Sequence, residues 1–162
     1  MQQRIINRVE GDPHYHQYLQ SFEPTNDGSA ASAIILAAKQ IARTVKAKCI
    51  VSFTVGGTTA QSASKKRPDV PILAISPLKE TSRQLAMSWG VYPEFSEADQ
   101  INSDDFRDML RSACQMAWKK GLVDSDNDLL VVTAGFPFGT PGAANIVRVV
   151  PAAGPTYWDS SL

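Results

Sequence analysis

Cys49-Ile50-Val51-Ser52-Phe53-Thr54-Val55-Gly56-Gly57-Thr58-Thr59-Ala60, continued by Lys65-Lys66-Arg67-Pro68 and Pro71-Ile72-Leu73-Ala74-Ile75-Ser76, holds a strand, a turn, a helix and a second strand in close succession. Cys49 to Phe53 is an apolar run without alternation, the pattern of a strand covered on both faces. Thr58 to Lys66 reads as a helix that ends at Arg67-Pro68, because the residue before a proline disfavours helical backbone. Pro71 to Ser76 is the second buried strand. A helix between two such strands gives a βαβ unit with parallel strands.

The same alternation extends in both directions. Upstream, Ile34, Ala38, Ile41 and Val45 recur at helical spacing behind Ser29, a good N-cap residue. Downstream, Glu80 to Trp89 reads as a helix with Gly90 at its C-terminal stop, and Val91 to Phe95 as a weaker strand. Asp104 to Lys120 reads as a long helix, with Phe106, Leu110, Ala113 and Ala117 on one stripe and Gly121 past its end. Leu129 to Thr133 and Asn145 to Val150 are the last strands. About ten residues rich in Gly and Pro join them, too few for a parallel crossover, so this pair is antiparallel. The fold class is therefore α/β: three layers, α/β/α, around a five-stranded, mostly parallel sheet whose last strand runs antiparallel. Residues 1–10 read as a short helix with Ile5, Ile6 and Val9 on one side. Residues 11–28 read as a linker loop, 29–150 as the α/β domain and 151–162 as a polar tail.

The chain has 162 residues, with 43% hydrophobic and 20% charged, which suits one globular domain with its own core. Sixteen basic and sixteen acidic side chains give a formal net charge of zero. Such a balance argues against a nucleic-acid or membrane-surface partner. No apolar run approaches the roughly 20 residues of a membrane span, and the N-terminus lacks signal-peptide character, so the cytoplasm is the expected compartment. Cys49 and Cys114 are far apart in apolar stretches and read as buried free thiols. No Cys/His spacing suits a metal. The two histidines, His14 and His16, sit in the linker. No catalytic constellation is visible, so the function is binding, or the chemistry lies elsewhere.

One turn has chemistry of its own. Thr54-Val55-Gly56-Gly57-Thr58-Thr59 lies between a strand and a helix. The first backbone N–H groups of a helix have no intrahelical partner, and the helix dipole favours an anion there. Glycines allow close backbone approach, and threonine hydroxyls add donors. A phosphate is the natural occupant. The plainer reading is a tight turn with Thr58 as helix cap. A second loop, Ala134 to Asn145, follows another strand in the region where α/β domains form ligand crevices. It also reads as a rigid hairpin. Two such loops together favour a shared crevice for a phosphorylated ligand.

Other candidates are plainer. Lys65, Lys66 and Arg67 oppose the helix dipole or hold a second phosphate. Trp89 and Trp118 read as core or interface. Asp124, Asp126 and Asp128 lack the Gly and Glu of a calcium loop and read as a solvated turn.

Taken in order, these stretches resemble the C-terminal domain of pyruvate kinase over about nine tenths of the chain. Arg4-Ile5-Ile6-Asn7-Arg8-Val9-Glu10 looks like the end of the helix that leaves that enzyme's catalytic barrel. Asp27 to Val45 looks like the domain's first long helix. Thr54 to Ala60, with Lys66-Arg67-Pro68 and Pro71-Ile72, looks like its effector phosphate loop, helix and next strand. Thr133-Ala134-Gly135 to Asn145, then Arg148-Val149, looks like its closing loop and last strand, in a form most like bacterial members.

The resemblance implies a regulatory and oligomerisation domain. Its effector, a phosphorylated sugar or nucleotide, would meet Thr54, Val55, Gly56, Gly57, Thr58 and Thr59, with Gly139, Thr140 and Gly142 closing over it. Val55 stands where some members carry a polar or basic residue, and Ala144 where Thr is common. Fewer charged donors argue for a monophosphate, such as a sugar phosphate or AMP, over fructose 1,6-bisphosphate. The implied partners are the catalytic barrel of the same polypeptide and further copies in a homo-oligomer, a tetramer for the whole enzyme. Magnesium and potassium are implied for the whole enzyme, and no cofactor, metal site or catalytic residue for this stretch. A barrel needs about 250 residues, so the chain reads as a domain beginning inside the preceding helix, without kinase activity of its own. The alternative is a stand-alone relative acting as a phosphate-ligand sensor or small enzyme.

Overall fold

The computed structural model describes residues 2–12, 14–15, 17–18, 28–97, 106–136 and 144–153. Its elements are helix α1 (Gln2–Glu10), helix α2 (Ala30–Val45), strand β1 (Cys49–Phe53), helix α3 (Thr58–Lys65), strand β2 (Ile72–Ser76), helix α4 (Lys79–Leu85), strand β3 (Val91–Phe95), helix α5 (Phe106–Lys119), strand β4 (Leu129–Gly135) and strand β5 (Ala144–Pro151). The strands form one sheet in the order β3-β2-β1-β4-β5. β1 pairs in parallel with β2 and β4, and β2 with β3, whereas β4 and β5 are antiparallel. This is the architecture expected from the alternating strand and helix pattern.

Burial explains the strand sequences. Every residue of β1 and β2 is buried, since helices cover both faces. On one face Val51, Phe53, Leu73, Ile75, Leu130 and Val132 pack with Met109, Leu110, Ala113 and Ala117 of α5. On the other, Ile72 and Ala74 pack with Ile35, Ala60, Ala63 and Leu85, while Ile50 and Val131 meet Ala38 and Ala42 of α2. The edge strand β3 is only partly covered and accommodates Pro93, whose missing N–H an edge tolerates. Cys49 and Cys114 are both buried and free. Burial, and for Cys49 the neighbouring Cys114, pushes their thiols up to about 12 and about 11, so both stay protonated at neutral pH.

Several local readings shift. In α2 the buried line is Ile35, Ala38 and Ala42, with Ile41 and Val45 packed at its margin. Ser29 caps α2 as expected, accepting the Ser32 N–H at 3.1 Å. Helix α4 stops at Leu85 rather than Trp89, and its end tightens into turns from Ala86, Met87 and Ser88 back to Arg83, Gln84 and Leu85. Leu85 is the last buried anchor, and Met87 is 91% exposed, so burial rewards no further helical turn. Gly121 adopts positive φ just past the end of α5, as expected, whereas Gly90, also at positive φ, lies five residues beyond Leu85 and is not the stop of α4. Within the expected linker loop, residues 14–15 and 17–18 are helical, because Asp12 Oδ1 accepts the His14 N–H at 2.8 Å. Ile5, Ile6 and Val9 of α1 are exposed. At the other end, Ala152 is buried, donating to Asp128 O at 2.7 Å and accepting from Trp118 Nε1 at 2.6 Å. No described helix is long and apolar enough to cross a membrane.

A charged cluster ties the edge strand β3 to α5. Glu94 accepts from Lys119 Nζ at 3.1 Å, and Lys120 Nζ lies 2.7 Å from its other oxygen. Burial alone would raise the Glu94 carboxyl, but hydrogen bonds from Lys120 and Lys119 outweigh it and hold the carboxyl below its ordinary value. Stability from a carboxyl with a lowered folded value is present above the unfolded value of about 4.3 and is lost as pH falls through the folded one. Glu94→Gln should therefore lower the unfolding free energy at pH 7 by about 0.5–1 kcal/mol. The difference from the parent, measured by urea denaturation, should shrink toward zero as pH falls below 4; a pH-independent difference would contradict this.

Candidate functional site

From β1 the chain progresses through β2 to β3 on one side, then crosses to β4 on the other side of β1. The carboxyl ends of β1 and β4 thus flank the point where strand order reverses, the place where open α/β sheets form ligand crevices. The parallel register Ser52↔Thr133 brings the residue 54–57 turn and the loop after Gly135 out side by side. Thr133 Oγ1 reinforces the pair by donating to Val51 O at 3.2 Å.

The turn has a rigid inner frame. Thr54, 4% exposed, keeps one ladder bond by donating its N–H to Ile75 O at 3.0 Å. Its Oγ1 accepts the Gly57 N–H at 2.9 Å. Gly57 occupies the helix N-cap position with φ +84° and no side-chain cap. A Cβ there would approach Thr81 Cγ2 to 3.3 Å and Leu85 Cδ2 to 3.4 Å. Glycine is thus required twice, for the left-handed backbone and for close packing on α4. Gly57 O then accepts the Gln61 N–H at 2.9 Å, the first bond of α3. Thr58 is therefore not the cap: Gly57 takes that position, braced by the Thr54 hydroxyl three residues upstream.

This frame sorts the candidate residues. Thr54 and Gly57 are buried, and the Gly57 N–H is already bonded. Gly56 and Thr58 are exposed, and Val55 and Thr59 are half-buried. The surface of the turn thus consists of the Gly56 backbone and the first residues of α3, whose N–H groups have no partner within the helix. Residues 54–60 contain no titratable side chain, so within the turn itself only N–H dipoles and the helix end could attract an anion.

The second loop is clamped at its base. Phe136 N–H donates to Asn145 Oδ1 at 2.9 Å, and Asn145 Nδ2 donates to Phe136 O at 2.6 Å. A register shift at Ala134/Gly135 accompanies the clamp. Asn145 closed the loop motif in the sequence without any stated role, and its side chain fixes where the loop leaves the sheet. Gly139, Thr140 and Gly142 lie outside the described residues.

The remaining candidates do not join this site. Lys65, Lys66 and Arg67 sit at the far end of the eight-residue α3, about 12 Å along its axis. Arg67 adopts φ +49°, with its guanidinium 4.4 Å from the Trp89 ring centroid. His14 is exposed with Nδ1 3.1 Å from Asp12, and His16 lies outside the described residues. Asp128 Oδ2 accepts the N–H groups of Asp124 and Ser125 in the solvated turn expected of that acidic stretch, and those bonds hold the carboxyl below its ordinary value. Among the described residues no group of three or more His, Cys, Asp or Glu could hold a metal ion.

Comparison with known proteins agrees with this fold. The chain is 39% identical over 149 residues to a pyruvate kinase of Agrobacterium vitis, covering 92% of this chain and 30% of that protein. It is 33% identical to a pyruvate kinase of Methylorubrum extorquens, over 90% of this chain and 30% of the relative. A solved pyruvate kinase structure from Cryptosporidium parvum superposes with a TM-score of 0.66 at 25% identity, over 80% of this chain and 23% of that one. The chain thus spans less than a third of each of these relatives. A family model described as the pyruvate kinase alpha/beta domain matches residues 32–150, most of the chain, and the chain belongs to that family.

Proposed function

We propose that this chain is the regulatory part of a pyruvate kinase and that it binds a phosphorylated effector, a sugar phosphate or nucleotide, at the turn between β1 and α3. The observation that carries this reading is the placement, at the switch point of the sheet, of an exposed glycine and a helix N-terminus beside a second clamped loop. In the whole enzyme, phosphoryl would pass from phosphoenolpyruvate to ADP with magnesium and potassium, on residues outside this chain. The effector would act by binding one global state of a homotetramer better than the other, which shifts their equilibrium. A contact role toward the barrel or a neighbouring subunit is supported by the exposed apolar face of α1, Ile5, Ile6 and Val9.

Calorimetric titration with ribose 5-phosphate, glucose 6-phosphate, AMP and fructose 1,6-bisphosphate tests the reading. At least one monophosphate should bind, more tightly as pH rises from 5 to 7, because a phosphate monoester gains its second charge near pH 6. Thr58→Ala and Thr59→Ala should each weaken it by about 1–3 kcal/mol, the worth of a hydrogen bond to a charged group or less. If no ligand binds, or both variants bind as the parent does, the site is not here.

The two glycines should separate fold from binding. Gly57→Ala should destabilise the chain by about 1–2 kcal/mol, the cost of a left-handed backbone for a residue with a Cβ. At Gly56 a Cβ meets nothing within 4 Å. Gly56→Ala should therefore leave the unfolding midpoint almost unchanged while weakening phosphate-ester binding. Equal stability losses in both would contradict the frame described for the turn.

A further inference from the structure

We propose that Ser76, on the neighbouring strand β2, is a positioning residue for the anion site: its hydroxyl holds the Val55–Gly56 peptide with its N–H directed outward. This rests on the phosphate-binding reading of the turn. Ser76 is the last residue of β2 and is fully buried. Its Oγ donates to Val55 O at 3.2 Å and accepts the Leu78 N–H at 3.2 Å. A serine hydroxyl has a single proton, and here that proton is committed to the turn.

The consequence follows from peptide geometry. In a planar trans peptide, C=O and N–H point in opposite directions. With the Val55 carbonyl drawn toward β2, the Gly56 N–H projects away from β2 at the exposed crest of the turn. Among the described residues Ser76 Oγ is the partner of the Val55 carbonyl, and glycine itself adopts both signs of φ almost equally. A Cβ built at Gly56 would meet nothing within 4 Å among the described residues, so no side chain is packed over the crest. A flipped peptide would present the Val55 carbonyl oxygen in place of a donor, which repels an anion. Thr54 locks the other half of the turn by accepting the Gly57 N–H. The two hydroxyls thus fix successive peptides, Thr54 from within the turn and Ser76 from 21 residues downstream.

The test is an amide-resolved NMR titration of the full chain with inorganic phosphate. In the parent, the Gly56, Thr58 and Thr59 amides should shift together. In Ser76→Ala, the Gly56 response should collapse and the affinity fall about tenfold, as for a lost charge-assisted hydrogen bond, while Thr59 still responds at higher phosphate. Ser76→Thr should restore both readouts, and Ser76→Val, matched to it in volume, should not; this pair keeps the comparison available if the alanine variant fails to fold. Ser52→Ala serves as a control, since Ser52 is equally buried but its hydroxyl has no hydrogen-bond partner among the described residues; its phosphate affinity should match the parent. A Ser76→Ala chain, or a Ser76→Val chain, that binds phosphate like the parent with Gly56 responding would overturn the role of Ser76 and leave the site standing. A parent whose turn amides never respond would overturn the site, and the inference with it.

Discussion

The hydrogen bond from the Gly57 N–H to the buried Thr54 hydroxyl joins the fold to its candidate function. β1 is the centre of the sheet and is covered on both faces, so its chain must reverse at the carboxyl end without stranding backbone polar groups. Thr54 and Gly57 solve this within four residues. They start α3 directly above the sheet, where Ala60 and Ala63 pack beside Ile72 and Ala74. The same solution leaves the first amides of α3 at the surface. A packing requirement and an exposed helix start therefore arise from one turn.

The sheet topology supplies the second half. Because strand order reverses at β1, the loop after β4 emerges next to this turn, and the Asn145 clamp on Phe136 sets its exit. α4 braces the turn from the other side through Thr81 and Leu85. On the proposed reading, specificity for the rest of a ligand would come from groups around the phosphate, since the turn itself carries no charge. The neutral composition of the chain fits a module of this kind.

The architecture was legible because its main signals are local. The apolar runs at 49–53, 72–76 and 129–133 mark strands buried on both faces, and the short Gly/Pro connection before Asn145 requires an antiparallel return. The position of the turn between β1 and α3 was legible for the same reason, from strand, glycines and threonines in sequence. Features decided by tertiary contact were not. Whether Thr58 or Gly57 caps α3 depends on where the Thr54 hydroxyl points and on how closely α4 packs. The end of α4 depends on Leu85 being the last residue with a burial site, which helix propensity does not register. The centre of the α2 stripe depends on which side of the helix meets the sheet, and Ile35, Ala38 and Ala42 are the residues buried there. Ser76 gives no local signal at all: it is an ordinary strand residue until its neighbour across the ladder is known.

The central claim is that an anion is held by the Gly56 N–H and the first amides of α3. Co-crystallisation with a phosphate ester tests it most directly. The account predicts phosphate density within hydrogen-bond distance of the Gly56, Thr58 and Thr59 nitrogens, with the Gly57 N–H still bonded to Thr54. Density for the phosphate at the far end of α3, beside Lys65, Lys66 and Arg67, with the turn empty, would contradict it.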